Sequence, residues 1–596
     1  MDQSRDVVVG SGRVERTARG LVGRALSRRA LLKGSAVVGA GAGIATLLAA
    51  CGGSTAPTAT TTSSTSTATT GGTGASTQTT GTTGATPTTS TSAPPGGVAT
   101  PGAAQTVPAG TPGGTLNFGL LRDPIAFDPH IAYGASSASL QGNVYDTLVT
   151  YDQQGNIVPS LASSWEIQNS SKTYVFHLQS GVTFHDGTAL TADDVVYTFD
   201  RIRDSATAAE LRQELANLDS YTATDSTTVT VNLKQPYSVL LSVLASQWAY
   251  IVSKAWGQAG NDFKKKMNGT GPFKLGTFEP QVKYTLVKND KYWVPNRPYL
   301  DQIVETVIAD DTARMNAFKS GQINFVEYVP WQNMDELSTN SADKMYLGYD
   351  TFNLVRLNPQ KPPLDKPEVR QALNFAIDRK ACIDVAFGGK GQPITVGLIP
   401  PGSFWYNQQL DGHWTYDTAK ATSLLQQVGL KPSDLKLSFD VANISVHSDT
   451  AQAVQSQLQK WGATVTIVQQ DVPTLTKRRS TGDYQMMMDG LGDPWPDPDF
   501  YTTYFGKGGA SYAAGVNFDD PKIDALLDQG RTETDNTKRK AIYAQVEQQL
   551  FVDAPFIFIL WRPQVEASIA GMQGYSHIPG IGLASERFML NVWFKK

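Results

Sequence analysis

The chain has 596 residues, a net charge of −4, 40% hydrophobic residues and only two cysteines. That length is too great for one compact core and calls for two or three domains. A mildly acidic chain with no basic block is a poor nucleic-acid binder, and two cysteines cannot build a disulfide framework.

The first fifty residues stand apart: eight Lys/Arg against three Asp/Glu give them +5, leaving −9 for the rest. Arg28–Arg29, flanked by Ser27 and Lys33 and followed by Leu31–Leu32, matches the twin-arginine export pattern. A glycine-rich apolar run follows, too short and too weakly apolar for a stable membrane span and suited to the core of a signal peptide. It closes on Leu48-Ala49-Ala50-Cys51, which resembles the bacterial lipobox, so Cys51 is expected to be the acylated new N-terminus. Residues 51–112 hold no charged residue and 22 threonines. With no large aliphatic or aromatic side chain to offset the entropy of ordering, this stretch is expected to be a disordered tether.

From Gly113 onward strand and helix patterns alternate. "GGTLNFGL" (113–120) is a glycine turn entering a strand. In "KTYVFHLQSG" (172–181) Tyr174, Phe176 and Leu178 share one face of a strand, with Val175 and His177 on the other. The period then changes to 3.6: Thr191 and Asp194 start a helix, and Val195, Phe199 and Ile202 line one side of it. Pro367 opens another helix; Asp378 caps the next, which Gly388–Gly389 stops and in which Cys382, Val385 and Ala386 are expected to share a buried stripe. Cys382 reads as a small core filler. Two more helices follow in 521–553, and Pro555 introduces an apolar strand.

The ordered set "GGTLNFG", "NVYDTLVTYD", "PSLASSWE", "GVTFHDGTALTADDVVYTFDRI", "NGTGPFKL", "NPQKPPLDKPEVRQALNFAIDR" and "FDDPKIDALLDQGR" resembles the family 5 solute-binding proteins of peptide/nickel ABC importers, over essentially all of 113–596. The resemblance implies an α/β, two-lobed periplasmic-binding-protein-like fold of type II, with an extra subdomain and two crossing segments. Carried onto this chain, lobe I is 113–350 with the subdomain at 155–268, lobe II is 351–558, and 559–596 returns to lobe I. The crossings fall near Tyr349–Asn353 and Phe558–Arg562. It implies a binding protein and not an enzyme: a monomer tethered to the outer face of a bacterial membrane, handing a small solute, a peptide above all, to an ABC permease and its ATPase subunits. A lipid-anchored hydrolase and a non-transporting sensor remain the rival functions, and oligosaccharide or metal chelate the rival cargoes.

Most polar motifs read as structural. Asp193–Asp194 sits in a helix's first turn, His185–Asp186 precedes a turn glycine, and the six histidines form no metal-ligand spacing, so neither cofactor nor resident metal is expected. The candidate ligand contacts are Tyr133, Gly134 and Ser136, on a loop the resemblance places at the lobe I wall; Trp405 and Tyr406, on a Pro/Gly loop; and Asp493 and Trp495, in "DGLGDPWPDPDF". In peptide-binding relatives the last loop carries Gly-Trp and then an aspartate that pairs with the peptide's ammonium. Here Leu491 and Pro494 stand at or near those places.

Overall fold

The computed structural model describes residues 109–595, apart from 125, 132–133, 493–494, 508–517, 579–580, 582–584, 586 and 588. The export signal, the anchor at Cys51 and all but the last residues of the tether lie outside the described residues, as do Tyr133 and Asp493.

One mixed sheet of eleven strands runs through the body. Its centre is a pair of long antiparallel strands, Asp343–Leu357 and Phe556–Ile569. On one side of the pair lie Phe325–Val326, Thr115–Leu120, Gln302–Val307, Lys283–Lys288 and Phe273–Glu279. On the other lie Met486–Gly492, Lys436–Ala442 and Thr464–Gln470. The register of the central pair runs from Asp343↔Ile569 to Gly348↔Gln564, breaks, and resumes at Thr351↔Arg562. The two long strands are thus the crossings, each giving one half to each lobe, and the break marks the place where a hinge can bend without opening either ladder.

Local chemistry explains the flanking elements. Tyr174, Phe176 and Leu178 are buried along Thr173–Leu178, in a separate four-stranded sheet that also contains Ala162–Gln168, Thr228–Leu233 and Leu218–Asp225. Helix Ala192–Arg203 buries Val195, Phe199 and Ile202; Asp194 starts it by accepting from the Thr191 N–H at 2.8 Å and from the Lys254 N–H at 2.8 Å. Pro367 is the first residue of helix Pro367–Phe375, and Asp378 caps Arg379–Phe387, which ends at Gly388 in the left-handed region (φ 56°). The buried stripe of that last helix differs from the expectation. Cys382, Ile383, Ala386 and Phe387 face the core, whereas Val385 is 68% exposed. At 100° per residue Val385 falls well outside the arc those four define. Burial pushes the Cys382 thiol up to about 12, so it packs as an unreactive filler.

Candidate functional site

The lobes meet where the crossings, the loop after Thr115–Leu120, the segment after Phe325–Val326 and the start of helix Ser445–Trp461 converge. Loops leaving the carboxyl ends of strands at a point where the sheet changes direction are where α/β proteins gather ligands.

From lobe I, Glu327 is 2% exposed. Its carboxylate accepts from the Leu121 N–H at 3.0 Å and from Ser136 Oγ at 3.0 and 3.2 Å. Burial raises the Glu327 carboxyl above its ordinary value, with those donors and the charges of Arg122 and Arg314 opposing it. Gly134 precedes helix Ala135–Val144 with φ 95°, and a Cβ there would lie 2.6 Å from Arg122 Nη2. The glycine therefore serves two ends, a backbone angle other residues avoid and room for a guanidinium.

From the crossings, Asn353 is fully buried and donates from Nδ2 to Val446 O and Thr450 Oγ1, both at 2.9 Å. Arg562, 8% exposed, donates to Gln564 Oε1 at 3.0 Å and stands 5.7 Å from the Tyr328 ring. Gln564 in turn donates to the Glu327 carbonyl at 3.2 Å and to Glu566 at 3.4 Å, and Glu566 meets His577 Nδ1 at 3.1 Å.

From lobe II, His447 lies one-tenth exposed in the first turn of its helix. Burial pushes its imidazole down to about 4; the cations of Arg562 and Arg122 push the same way, against Asp489. It is neutral at physiological pH. Gly490 permits its close approach: a Cβ there would stand 2.4 Å from His447 Nε2 and 2.8 Å from Asn353 Oδ1. Asp489 is held by Arg356, with Arg479 at 3.6 Å; burial would raise its carboxyl, but the two guanidiniums outweigh that and lower it.

The lobes are in contact. Lys390 Nζ meets Asp335 Oδ1 at 2.5 Å, Ser445 Oγ donates to Asp311 Oδ2 at 3.4 Å, and Ser238 donates to the Arg531 carbonyl from both its N–H and its hydroxyl at 3.1 Å.

The structure distributes the sequence candidates unevenly. Gly134 and Ser136 sit together beside Arg122 and Glu327. Trp405 is 3% exposed, edge-on to Phe404 and 4.9 Å from the Arg539 guanidinium. Tyr406 is half-buried, and burial pushes its phenol up to about 12, aided by Asp411. Trp495 is 1% exposed, within the largest hydrophobic cluster of the described residues. The acids that follow it are committed: Asp497 takes both Arg539 nitrogens at 2.7 and 2.8 Å, and Asp499 takes Arg531 at 2.8 and 3.1 Å. Asp193 pairs with Lys254 at 3.2 Å, and the His185 ring meets the Gly271 carbonyl at 3.0 Å. Sequence reasoning passed over Arg122, Glu327, Asn353, His447 and Arg562. Of these Arg122 carried a usable signal, an arginine two residues beyond a strand ending in a polar loop.

Two α/β lobes sharing a sheet through a pair of crossing strands, with a polar boundary between them, define a periplasmic-type solute-binding protein. The chain belongs to the bacterial extracellular solute-binding proteins, family 5, whose middle-region model matches residues 156–513. The dipeptide-binding protein of Escherichia coli (strain K12) is 29% identical over 527 residues, 79% of this chain and 94% of that one. The glutathione-binding protein GsiB of Pectobacterium atrosepticum is 27% identical over 479 residues, 76% of this chain and 90% of that one. Among solved structures, AgaA of A. tumefaciens R10 in complex with agropinic acid superposes with a TM-score of 0.75 at 30% identity, over 81% of this chain and 99% of that one. DppA of Helicobacter pylori in complex with the peptide STSA gives 0.75 at 27%, over 82% and 99%.

Proposed function

We propose that this protein captures a short peptide or peptide-like solute between its lobes, outside the cell, and delivers it to an ABC permease driven by separate ATPase subunits. The observation that carries the reading is the central strand pair: its register shifts at two neighbouring places, between Gly348 and Thr351 and between Asn353 and Leu354, and runs unbroken on either side of them. Such a pair lets the lobes rotate as rigid bodies, and a solute touching both favours the closed arrangement by its differential affinity. The curated relatives' names, dipeptide- and glutathione-binding, support a peptide-like cargo. We further propose that Cys51 carries the lipid anchor and that residues 51–112 hold a monomeric binding body off the membrane.

The test is native mass spectrometry of the full chain, before and after mild unfolding, followed by calorimetric titration of whatever is released. A released mass composed of amino-acid residues is the expected result. A hexose ladder or a metal chelate would refute the peptide reading. In cells, export of a Cys51→Ser chain into the medium, with loss of solute uptake, is expected if the anchor and the delivery role hold; unchanged retention would remove the anchor.

A further inference from the structure

We propose that Arg122 is the receptor for an anionic group on the cargo, so that the protein selects solutes presenting a carboxylate to the lobe I wall. This rests on the solute-capture reading above and names what the captured molecule must carry.

The argument begins with position. Arg122 follows Thr115–Leu120 by two residues, at the carboxyl end of a strand that pairs in parallel with both Gln302–Val307 and Phe325–Val326. It is half-buried and makes no hydrogen bond or ion pair with the described residues. Its guanidinium lies over Gly134, where a Cβ would stand 2.6 Å from Nη2.

The nearby acids have other neighbours. Glu327, the acid whose charge Arg122 feels, gives both oxygens to Ser136 and accepts from the Leu121 N–H. Asp489 across the boundary is held between Arg356 and Arg479, and Asp311 by Arg314. Asp449, on the helix that carries His447, has its carboxyl raised by burial. Arg122 and Arg562 both act on His447, which is neutral, and no described acid is paired to Arg122.

Closing the lobes over this guanidinium strips its water without replacing it. A carboxylate on the cargo supplies forked hydrogen bonds to Arg122 in place of that water. That gain is largest in the closed arrangement, so the anion favours closure. Specificity follows from the same source, since a solute with an amide at that place leaves a buried charge unmet.

The test is calorimetric titration of the full chain with dialanine, trialanine and glutathione, each beside its C-terminal amide or ester, for wild type, Arg122→Gln and Arg122→Lys. Wild type is expected to prefer the acids by about 30-fold, as loss of a charge-assisted fork implies. Arg122→Gln should lose that preference by weakening the acids alone, and Arg122→Lys should recover part of it. Unchanged far-UV circular dichroism and melting temperature confirm that the variants are folded. Amides binding as tightly as acids in wild type would overturn the anion proposal while leaving solute capture intact. Equal weakening of acids and amides in Arg122→Gln would likewise overturn it, assigning the residue a purely structural role. No binding by any acid to wild type would overturn the proposal together with the short-peptide reading.

Discussion

Replacing Asp497 by asparagine isolates the best-defined polar contact of lobe II. Arg539 is 1% exposed and Asp497 5%; the two share two parallel hydrogen bonds of 2.8 and 2.7 Å, and the guanidinium also reaches the Gly530 carbonyl at 3.0 Å. Asp497 Oδ1 further caps the next turn by accepting from the Asp499 N–H at 2.9 Å. Asparagine keeps the shape but opposes an NH₂ to an Nη–H and leaves Arg539 charged in the interior. Breaking one partner of such a pair costs about 3–5 kcal/mol. For a lobe of roughly 200 residues each kcal/mol lowers the melting point by about 2–4 °C, so the lobe II transition should fall by about 6–20 °C in scanning calorimetry. The paired change Asp497→Leu with Arg539→Met should recover most of that, because an apolar pair leaves no charge behind. A fall below about 3 °C for Asp497→Asn would refute the reasoning.

Other expectations follow from the same geometry. Burial pushes the carboxyls of Glu305 and Glu547 up to about 8, so the folded chain holds protons that the unfolded chain releases above its ordinary value near 4.5; the stability these two groups contribute is full below that value and is lost as pH rises toward 8. The buried histidines pushed down to about 4 are neutral in both states above their ordinary 6.5, so between pH 6.5 and 8 the carboxyls govern the slope. Melting temperature should therefore drop across that interval, and Glu547→Gln, which keeps an acceptor for the Tyr501 hydroxyl at 3.0 Å, should flatten it; a rising curve would contradict this. Asp335→Ala removes a contact made with the lobes together, but the acid's side chain is 83% exposed, so solute affinity should fall by no more than about fivefold at unchanged stability. Gly490→Ala should weaken solute binding at least about tenfold, because the added methyl must displace His447 or Asn353. In a chain carrying Cys51→Ser, Cys382 should resist a thiol reagent until the protein unfolds; rapid native labelling would contradict its burial.

The legible parts of the fold were those in which local and tertiary demands agree. Thr173–Leu178 and Ala192–Arg203 bury the same residues that their periods of two and 3.6 single out. The second crossing strand breaks that correspondence. Arg562, Gln564, Glu566 and Ser568 alternate along it as a solvent-facing edge would, yet their exposures are 8%, 2%, 1% and 0%. They are met by one another, by His577 and by the Glu327 carbonyl, partners that no local pattern discloses. The proline-rich turn misleads in the opposite sense. Its acids and tryptophan have the composition of a presented loop, and only the helices that supply Arg531 and Arg539, some thirty to forty residues later, turn it inward. In the candidate site, Gly134 and Ser136 were named by resemblance. Arg122, His447 and Arg562 come together only once the crossings have paired.

That pairing has a bearing on synthesis. Strand Phe556–Ile569 is the inner neighbour of both Asp343–Leu357 and Phe325–Val326, yet it is made roughly 200 residues after them. The intervening chain can gather its own core early, but the sheet cannot be joined through its middle until translation has nearly finished. A nascent chain that stops short of Phe556 carries two bare strand edges, one on each side of a missing strand, and such edges seek partners on other molecules. Stalled or C-terminally clipped chains should therefore aggregate rather than yield a half-active lobe, and quality control acting late, on the completed chain, guards this architecture best.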